Sequence, residues 1–312
     1  MCWIFHITRI LTDLALVDLS DQQQTAAAYK NVRTLLNTAS KLTFKSLKSH
    51  DKRTVSVNNH CTIELFTPVS KLPGSEPLPI LVHFHGGGHA IGSAVDNLLL
   101  DVFKLFGDKL VVASVEYRLA PEHIFPAAAD DAISAIEFVS KNAKSLGSSP
   151  QHICISGMSA GGNLAAVALH HASDNNISIK HAYLQIPEMH IGCAGSFHTS
   201  FAVHGKVGAL PTEIMVHWWK AYCPDPALAA DPKCSPINVS SSTLRKIDCE
   251  ILVQTSSADV LLGSGLEYVE KLKQAKVRVT HVMVQGSHSF GLMCDRKNRN
   301  LLDEIWKAKV LS

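Results

Sequence analysis

Apolar residues along this chain recur with two periods, and the switches between them mark the elements. Trp3, Ile7, Ile10, Leu14 and Val17 lie three or four positions apart, which is the spacing of one helix face. Ala28, Val32, Leu35 and Ala39 predict a second helix over 25–39. From Thr54 the period drops to two, so 54–57 and 62–66 read as half-buried strands. A turn-rich break from Pro68 to Pro79 follows. The chain then predicts a strand at 80–84, a helix at 98–106, a β-branched buried strand at 110–115 and a helix at 127–144. In that helix Ala128, Ala132, Ala135, Ile136 and Val139 share a face. A strand at 152–156, a helix at 163–170 and a strand at 182–186 come next.

The alternation stops between Met189 and about Lys246. Glycines and prolines there leave one clear helix, 211–222, with Pro211 suited to the first helical position. A structureless loop of that length is improbable in a compact chain, so this stretch reads as a helical insertion. Regularity returns with a strand at 251–254, a helix at 266–274, a strand at 277–284 and a helix at 300–309. Strands alternating with helices predict an α/β fold with a mostly parallel, eight-stranded sheet and helices on both faces.

Composition changes this picture little. The 312 residues are 46% apolar and 18% charged with a formal net charge of +2, which suggests neither a nucleic-acid nor an anionic-membrane partner. Eight scattered cysteines form no C-x-x-C pair and suit a reducing compartment without a zinc site, and Cys154 and Cys249 fall on predicted strands as small buried residues. The first residues lack a basic stretch, and Arg9 and Asp13 interrupt their apolar run, so they make a poor signal peptide. No run reaches the roughly 18 apolar residues of a membrane span. The expected location is cytoplasmic, and the sequons at Asn176 and Asn238 are taken as chance. Most of the 17 histidines should be structural.

The chemistry centres on Gly157-Met158-Ser159-Ala160-Gly161-Gly162, between the strand at 152–156 and the helix at 163–170. Strand, tight glycine turn and helix is the setting a G-x-S-x-G serine requires. The turn exposes the hydroxyl, and the helix N-terminus behind it supplies free N–H groups and partial positive charge. An ordinary βα turn with an incidental serine is the plain alternative. Serine needs a base, and the base needs an orienting acid. Asp259 follows the strand ending at Gln254, 100 residues after Ser159, and His288 follows the next strand, 29 residues later. Asp259 could instead cap the following helix, His288 could be a loop histidine, and Glu188 is a rival acid because it too follows a strand. His85-Gly86-Gly87-Gly88 ends another strand and offers unobstructed amides. The N–H groups of Gly86, Gly87 and Ala160 are the candidates for an oxyanion hole. A phosphate-binding reading of this turn is weak, since no G-x-G-x-x-G and no Walker lysine accompany it. No cofactor and no metal are expected.

These blocks, with Tyr117-Arg118-Leu119-Ala120-Pro121-Glu122-His123 and His288-Ser289-Phe290, resemble the hormone-sensitive-lipase-like (family IV) group of α/β-hydrolases, related to plant carboxylesterases. The resemblance spans roughly residues 55–310. It implies an α/β-hydrolase fold with Ser159 as nucleophile, His288 as base and Asp259 as orienting acid. It also implies a helical cap made of residues 1–50 and 189–246 over a catalytic core of 51–188 and 247–312. In the group Tyr117–His123 is not catalytic. Arg118 and Glu122 have the types and spacing to brace the core through charge-assisted hydrogen bonds. Met158 departs from the group, where the residue before the serine is acidic or small and polar, so substrate preference does not carry over. Phe197, Phe201, Trp218 and Trp219 could line an acyl or alcohol pocket or simply pack the core. The expected function is serine carboxylic ester hydrolysis on short to medium acyl esters, with a small-molecule ester as partner, no nucleic acid, no stable membrane insertion, and room for a homodimer. The alternatives are a lyase, dehydratase or cyclase of specialised metabolism on the same fold, or a non-catalytic small-molecule receptor. The gibberellin-receptor branch lacks the histidine that His288 supplies here.

Overall fold

A computed structural model describes residues 14, 16–44, 48–71, 76–96, 98–192, 198–206, 210–288 and 296–311. Eight strands form one sheet in the order β1-β2-β4-β3-β5-β6-β7-β8. They are β1 (His50–Ser56), β2 (Thr62–Pro68), β3 (Leu78–Phe84), β4 (Val111–Glu116), β5 (Ser148–Met158), β6 (His181–Gln185), β7 (Glu250–Ala258) and β8 (Val279–Ser287). β1 and β2 pair antiparallel, as do β2 and β4, and every other neighbouring pair is parallel.

The two faces follow from the period-two alternation. Leu81, Val112, Cys154, Tyr183 and Leu252 point to one face, where they pack with Phe103, Phe106, Trp306 and Val310. Those residues come from α2 (Leu98–Phe106) and the C-terminal helix α9 (Arg296–Leu311). Ile80, Val82, Val111, Ala113, Ile153, Ile155, Leu184 and Val253 point to the other face. That face is covered by α3 (Ala127–Asn142), α4 (Ala160–Asp174) and α8 (Leu262–Gln274). α3 and α4 approach closely because Ala128, Ala132 and Ala135 on one and Ala165, Ala168 and Ala172 on the other are fully buried and small.

Several boundaries differ from the sequence expectation. β5 starts earlier and ends later than 152–156, β8 is shifted toward its C-terminal end, and α8 begins four residues before Leu266. Of the apolar face of the first expected helix, only Leu14 and Val17 fall among the described residues. The next helix, α1 (Gln22–Phe44), is longer than 25–39, and its buried stripe is rotated. Thr25, Tyr29 and Val32 face inward while Leu35 is 51% exposed, because Tyr29 offers more apolar area to bury than the alanine beside it.

The irregular stretch after β6 carries α5 (Thr199–His204), α6 (Thr212–Tyr222), two short 3₁₀ turns (Pro226–Ala230 and Pro236–Asn238) and α7 (Ser241–Leu244). Pro211 is the N-cap of α6, with extended ψ, rather than its first helical residue. Among the described residues no helix is long and apolar enough to cross a membrane.

Candidate active site

Because β3, β5, β6, β7 and β8 run parallel, the segments that follow their last residues gather along one edge of the sheet. His85 follows β3, Ser159 follows β5, Glu188 comes three residues after β6, Asp259 follows β7 and His288 follows β8. Topology alone therefore collects side chains that are far apart in sequence.

Ser159 sits at the tip of the turn between β5 and α4 with φ 57 and ψ −121, a left-handed backbone that a residue with a Cβ adopts only under constraint. The constraint is visible on both sides. A Cβ on Gly157 would lie 2.0 Å from the Gly161 carbonyl oxygen, and one on Gly161 would lie 2.1 Å from that of Phe84. Only glycine permits this approach of strand, turn and helix. Ser159 N–H donates to Gln185 O at 2.9 Å, and its carbonyl accepts from Glu188 N–H at 3.1 Å, so the turn is bolted to the next strand.

The structure brings Ser159, His288 and Asp259 together, each 3% exposed or less. His288 Nδ1 lies 2.8 Å from Asp259 Oδ2, and His288 Nε2 lies 3.0 Å from Ser159 Oγ. A carboxylate only accepts, so Nδ1 is the protonated nitrogen and Nε2 is left to accept the serine hydroxyl proton. The other oxygen of Asp259 accepts from Leu261 N–H at 2.9 Å, and its carbonyl accepts from Leu262 N–H. Asp259 thus also organises the turn into α8, although Leu261 is the N-cap.

Glu188 is not the acid of His288. Its carboxylate accepts from His89 at 3.0 Å and from the Trp219 indole N–H. Both side chains of the His89–Glu188 pair are fully buried. Sequence reasoning missed His89. Its position directly after the glycine turn was the available signal, but its partner lies 99 residues away.

Gly86 faces the serine turn: a Cβ built on it would lie 3.7 Å from Ser159 Cβ and 3.0 Å from the Met158 carbonyl oxygen. Ala160 opens α4, where an amide has no intrahelical acceptor. None of the Gly86, Gly87 and Ala160 amides donates to another backbone group outside the helices and strands among the described residues. The glycine turn is braced from below. Burial pushes the His85 imidazole down to about 4, leaving a neutral ring whose Nδ1 bonds to Gly86 O at 2.8 Å. The Tyr117 hydroxyl donates to His85 O at 2.7 Å, and the two rings stack at 4.2 Å.

Arg118 and Glu122 do brace the structure, each with its own partner. Arg118 forks onto Asp131, and Glu122 receives both terminal nitrogens of Arg33 from α1. Arg33 also donates to the carbonyls of Ala90 and Ala120. Met158 is buried, with its terminal methyl beneath Gly86. Phe201, Trp218 and Trp219 are buried in the core cluster, and Phe197 lies outside the described residues.

A family model described as alpha/beta hydrolase fold matches residues 81–292. The chain belongs to this family. An AB hydrolase superfamily protein of Schizosaccharomyces pombe is 31% identical over 211 residues, which are 67% of this α/β-hydrolase and 62% of the yeast protein. The gibberellin receptor GID1 of rice (Oryza sativa subsp. japonica) is 30% identical over 209 residues, 65% of this chain and 58% of the receptor. The alignments thus span somewhat under two thirds of these two relatives. Among solved structures, an esterase of Pyrobaculum calidifontis superposes with a TM-score of 0.78 at 30% identity, covering 91% of this α/β-hydrolase and 92% of the archaeal chain.

Proposed function

We propose that this α/β-hydrolase is a carboxylesterase-type serine hydrolase acting on short to medium acyl esters through Ser159, His288 and Asp259. The observation that carries the reading is the continuous hydrogen-bonded line from Asp259 through His288 to the Ser159 hydroxyl. The likeness to an archaeal esterase over nine tenths of both chains supports it.

Ser159 Oγ attacks the ester carbonyl as His288 Nε2 takes its proton, and Asp259 stabilises the imidazolium that forms. The N–H groups of Gly86, Gly87 and Ala160 receive the oxyanion. His288 returns the proton to the leaving alcohol, and water, activated by the same nitrogen, releases the acid from the acyl-enzyme. In this reading the described residues of 1–50 and 189–246 form the cap, over a core made of those of 51–188 and 247–312. The buried free cysteines at 61, 154 and 249 suit a cytoplasmic site of action.

The likeness to a gibberellin receptor favours a second reading, a ligand-binding protein with an idle serine. A fluorophosphonate probe separates the two. Labelling at Ser159, with p-nitrophenyl acetate hydrolysis that Ser159→Ala abolishes, is the esterase outcome. An unlabelled serine would support the receptor. Mass-spectrometric detection of an acyl-enzyme further distinguishes ester hydrolysis from lyase or cyclase chemistry.

A further inference from the structure

The proposed ester chemistry leaves unused a second buried acid–histidine pair beside Ser159, and its connections are unusually directed. Glu188 touches the serine turn through its main chain, where its N–H donates to Ser159 O at 3.1 Å and its carbonyl accepts from Asn163 Nδ2 at 2.9 Å. One carboxylate oxygen holds His89 Nε2 at 3.0 Å, and the other holds the indole N–H of Trp219. His89 directly follows Gly86–Gly88 and has φ +58, a left-handed conformation that a histidine keeps only when its surroundings fix it. Its ring stacks on Tyr222 at 3.9 Å and 8°. Gly88, at φ +60, sits so close under Trp218 that a Cβ there would lie 2.1 Å from the indole. Helix α6 therefore rests on this region through Trp218 over Gly88, Trp219 onto Glu188 and Tyr222 over His89.

The acid type matters here. An indole nitrogen only donates, so the first oxygen must accept. A carboxylate can accept at both oxygens, which lets His89 carry its proton on Nε2 and leaves Nδ1, which has no partner among the described residues, as a bare lone pair. A carboxamide of the same shape cannot accept at both ends.

We infer that Glu188 is a positioning residue. Through His89 it fixes the backbone of Gly86–Gly88, and through Trp219 it makes that fixing depend on the seat of α6. The inference rests on the ester-hydrolysis reading and deepens it: the oxyanion amides are in register only while α6 is docked.

The test measures p-nitrophenyl acetate hydrolysis, fluorophosphonate labelling, inhibition by an alkyl boronic acid and the thermal midpoint, in wild type, Glu188→Gln and Trp219→Phe. In Glu188→Gln, kcat is expected to fall about 10- to 100-fold, the scale of an ångström-sized misplacement, with KM nearly unchanged. Boronate affinity should weaken in step with kcat/KM, because both depend on the tetrahedral oxyanion. Trp219→Phe keeps the aromatic bulk and should lower kcat about three- to tenfold in the same pattern. It carries the test if Glu188→Gln does not fold. A lower thermal midpoint with unchanged kcat and boronate affinity would make the pair a packing feature and overturn the inference, as would a change confined to KM. If wild type neither labels nor hydrolyses the ester, the esterase reading falls and this inference with it. An active wild type with unaffected variants removes only the inference.

Discussion

Two histidines in this molecule lean on buried carboxylates that come from the ends of parallel strands, and they differ in what their second nitrogen meets. His288 gives Nδ1 to Asp259 and turns Nε2 toward Ser159 Oγ. His89 gives Nε2 to Glu188, while its Nδ1 meets no hydrogen-bond partner among the described residues and its ring lies flat on Tyr222. Burial and a carboxylate are common to both, so neither feature marks a base. What separates them is access to a hydroxyl. In the reading proposed above, one pair moves a proton and the other holds a backbone still.

The sharpest way to break this distinction is to delete each histidine in turn. His288→Ala should lower kcat for p-nitrophenyl acetate by about 10⁶-fold, as should Ser159→Ala. A loss of that size in His89→Ala would erase the difference between the pairs. Asp259→Asn comes next, with an expected loss of about 10⁴-fold, because an amide no longer forces the proton onto Nδ1. Retained activity there would make Asp259 chiefly the organiser of the α8 turn.

The smallest effect concerns buried histidines that no carboxylate hydrogen-bonds among the described residues. Burial pushes His83 down to about 3 and His170 to about 4, where the nearby Asp174 charge offsets part of the effect, and His170 Nε2 bonds to the Tyr268 hydroxyl. Their folded pKa values lie below the unfolded value near 6.5, so the unfolded chain binds more protons between those limits. The stability they contribute is present above about pH 6.5 and is lost as pH falls toward 4. The denaturation midpoint should decline across that window, and His170→Gln should flatten the decline. An unaltered slope would show that His170 does not titrate on unfolding.

Much of this was legible because the sheet is parallel. Buried parallel strands read as apolar runs, and Ser159, Asp259 and His288 each follow such a run within three to five residues, so motif and topology pointed to the same edge. The glycine turn was legible for the same reason. Residues whose meaning lies in a distant partner were not. Glu188 looked like a rival acid because its position after β6 carries no trace of His89 or Trp219. Arg33 sat unremarked on a helix whose inward face was assigned to Ala28 and Leu35 rather than Tyr29, since periodicity cannot choose between adjacent stripes when the larger side chain decides. Arg118 was read as bracing, but its acceptor, Asp131, lies on the next helix.

The strand order also ranks the durability of the site. Ser159 follows β5, which has a hydrogen-bonded neighbour on each side, whereas His288 follows β8, which forms one rim of the sheet and among the described residues is laddered only to β7. Rim strands open at lower free-energy cost than central ones. In the proposed esterase reading, warming should free His288 while Ser159 is still gripped, and p-nitrophenyl acetate hydrolysis should fade ahead of the cooperative melt. Chain order adds a second asymmetry, since Ser159 leaves the ribosome 129 residues before His288, its partner in the proposed triad.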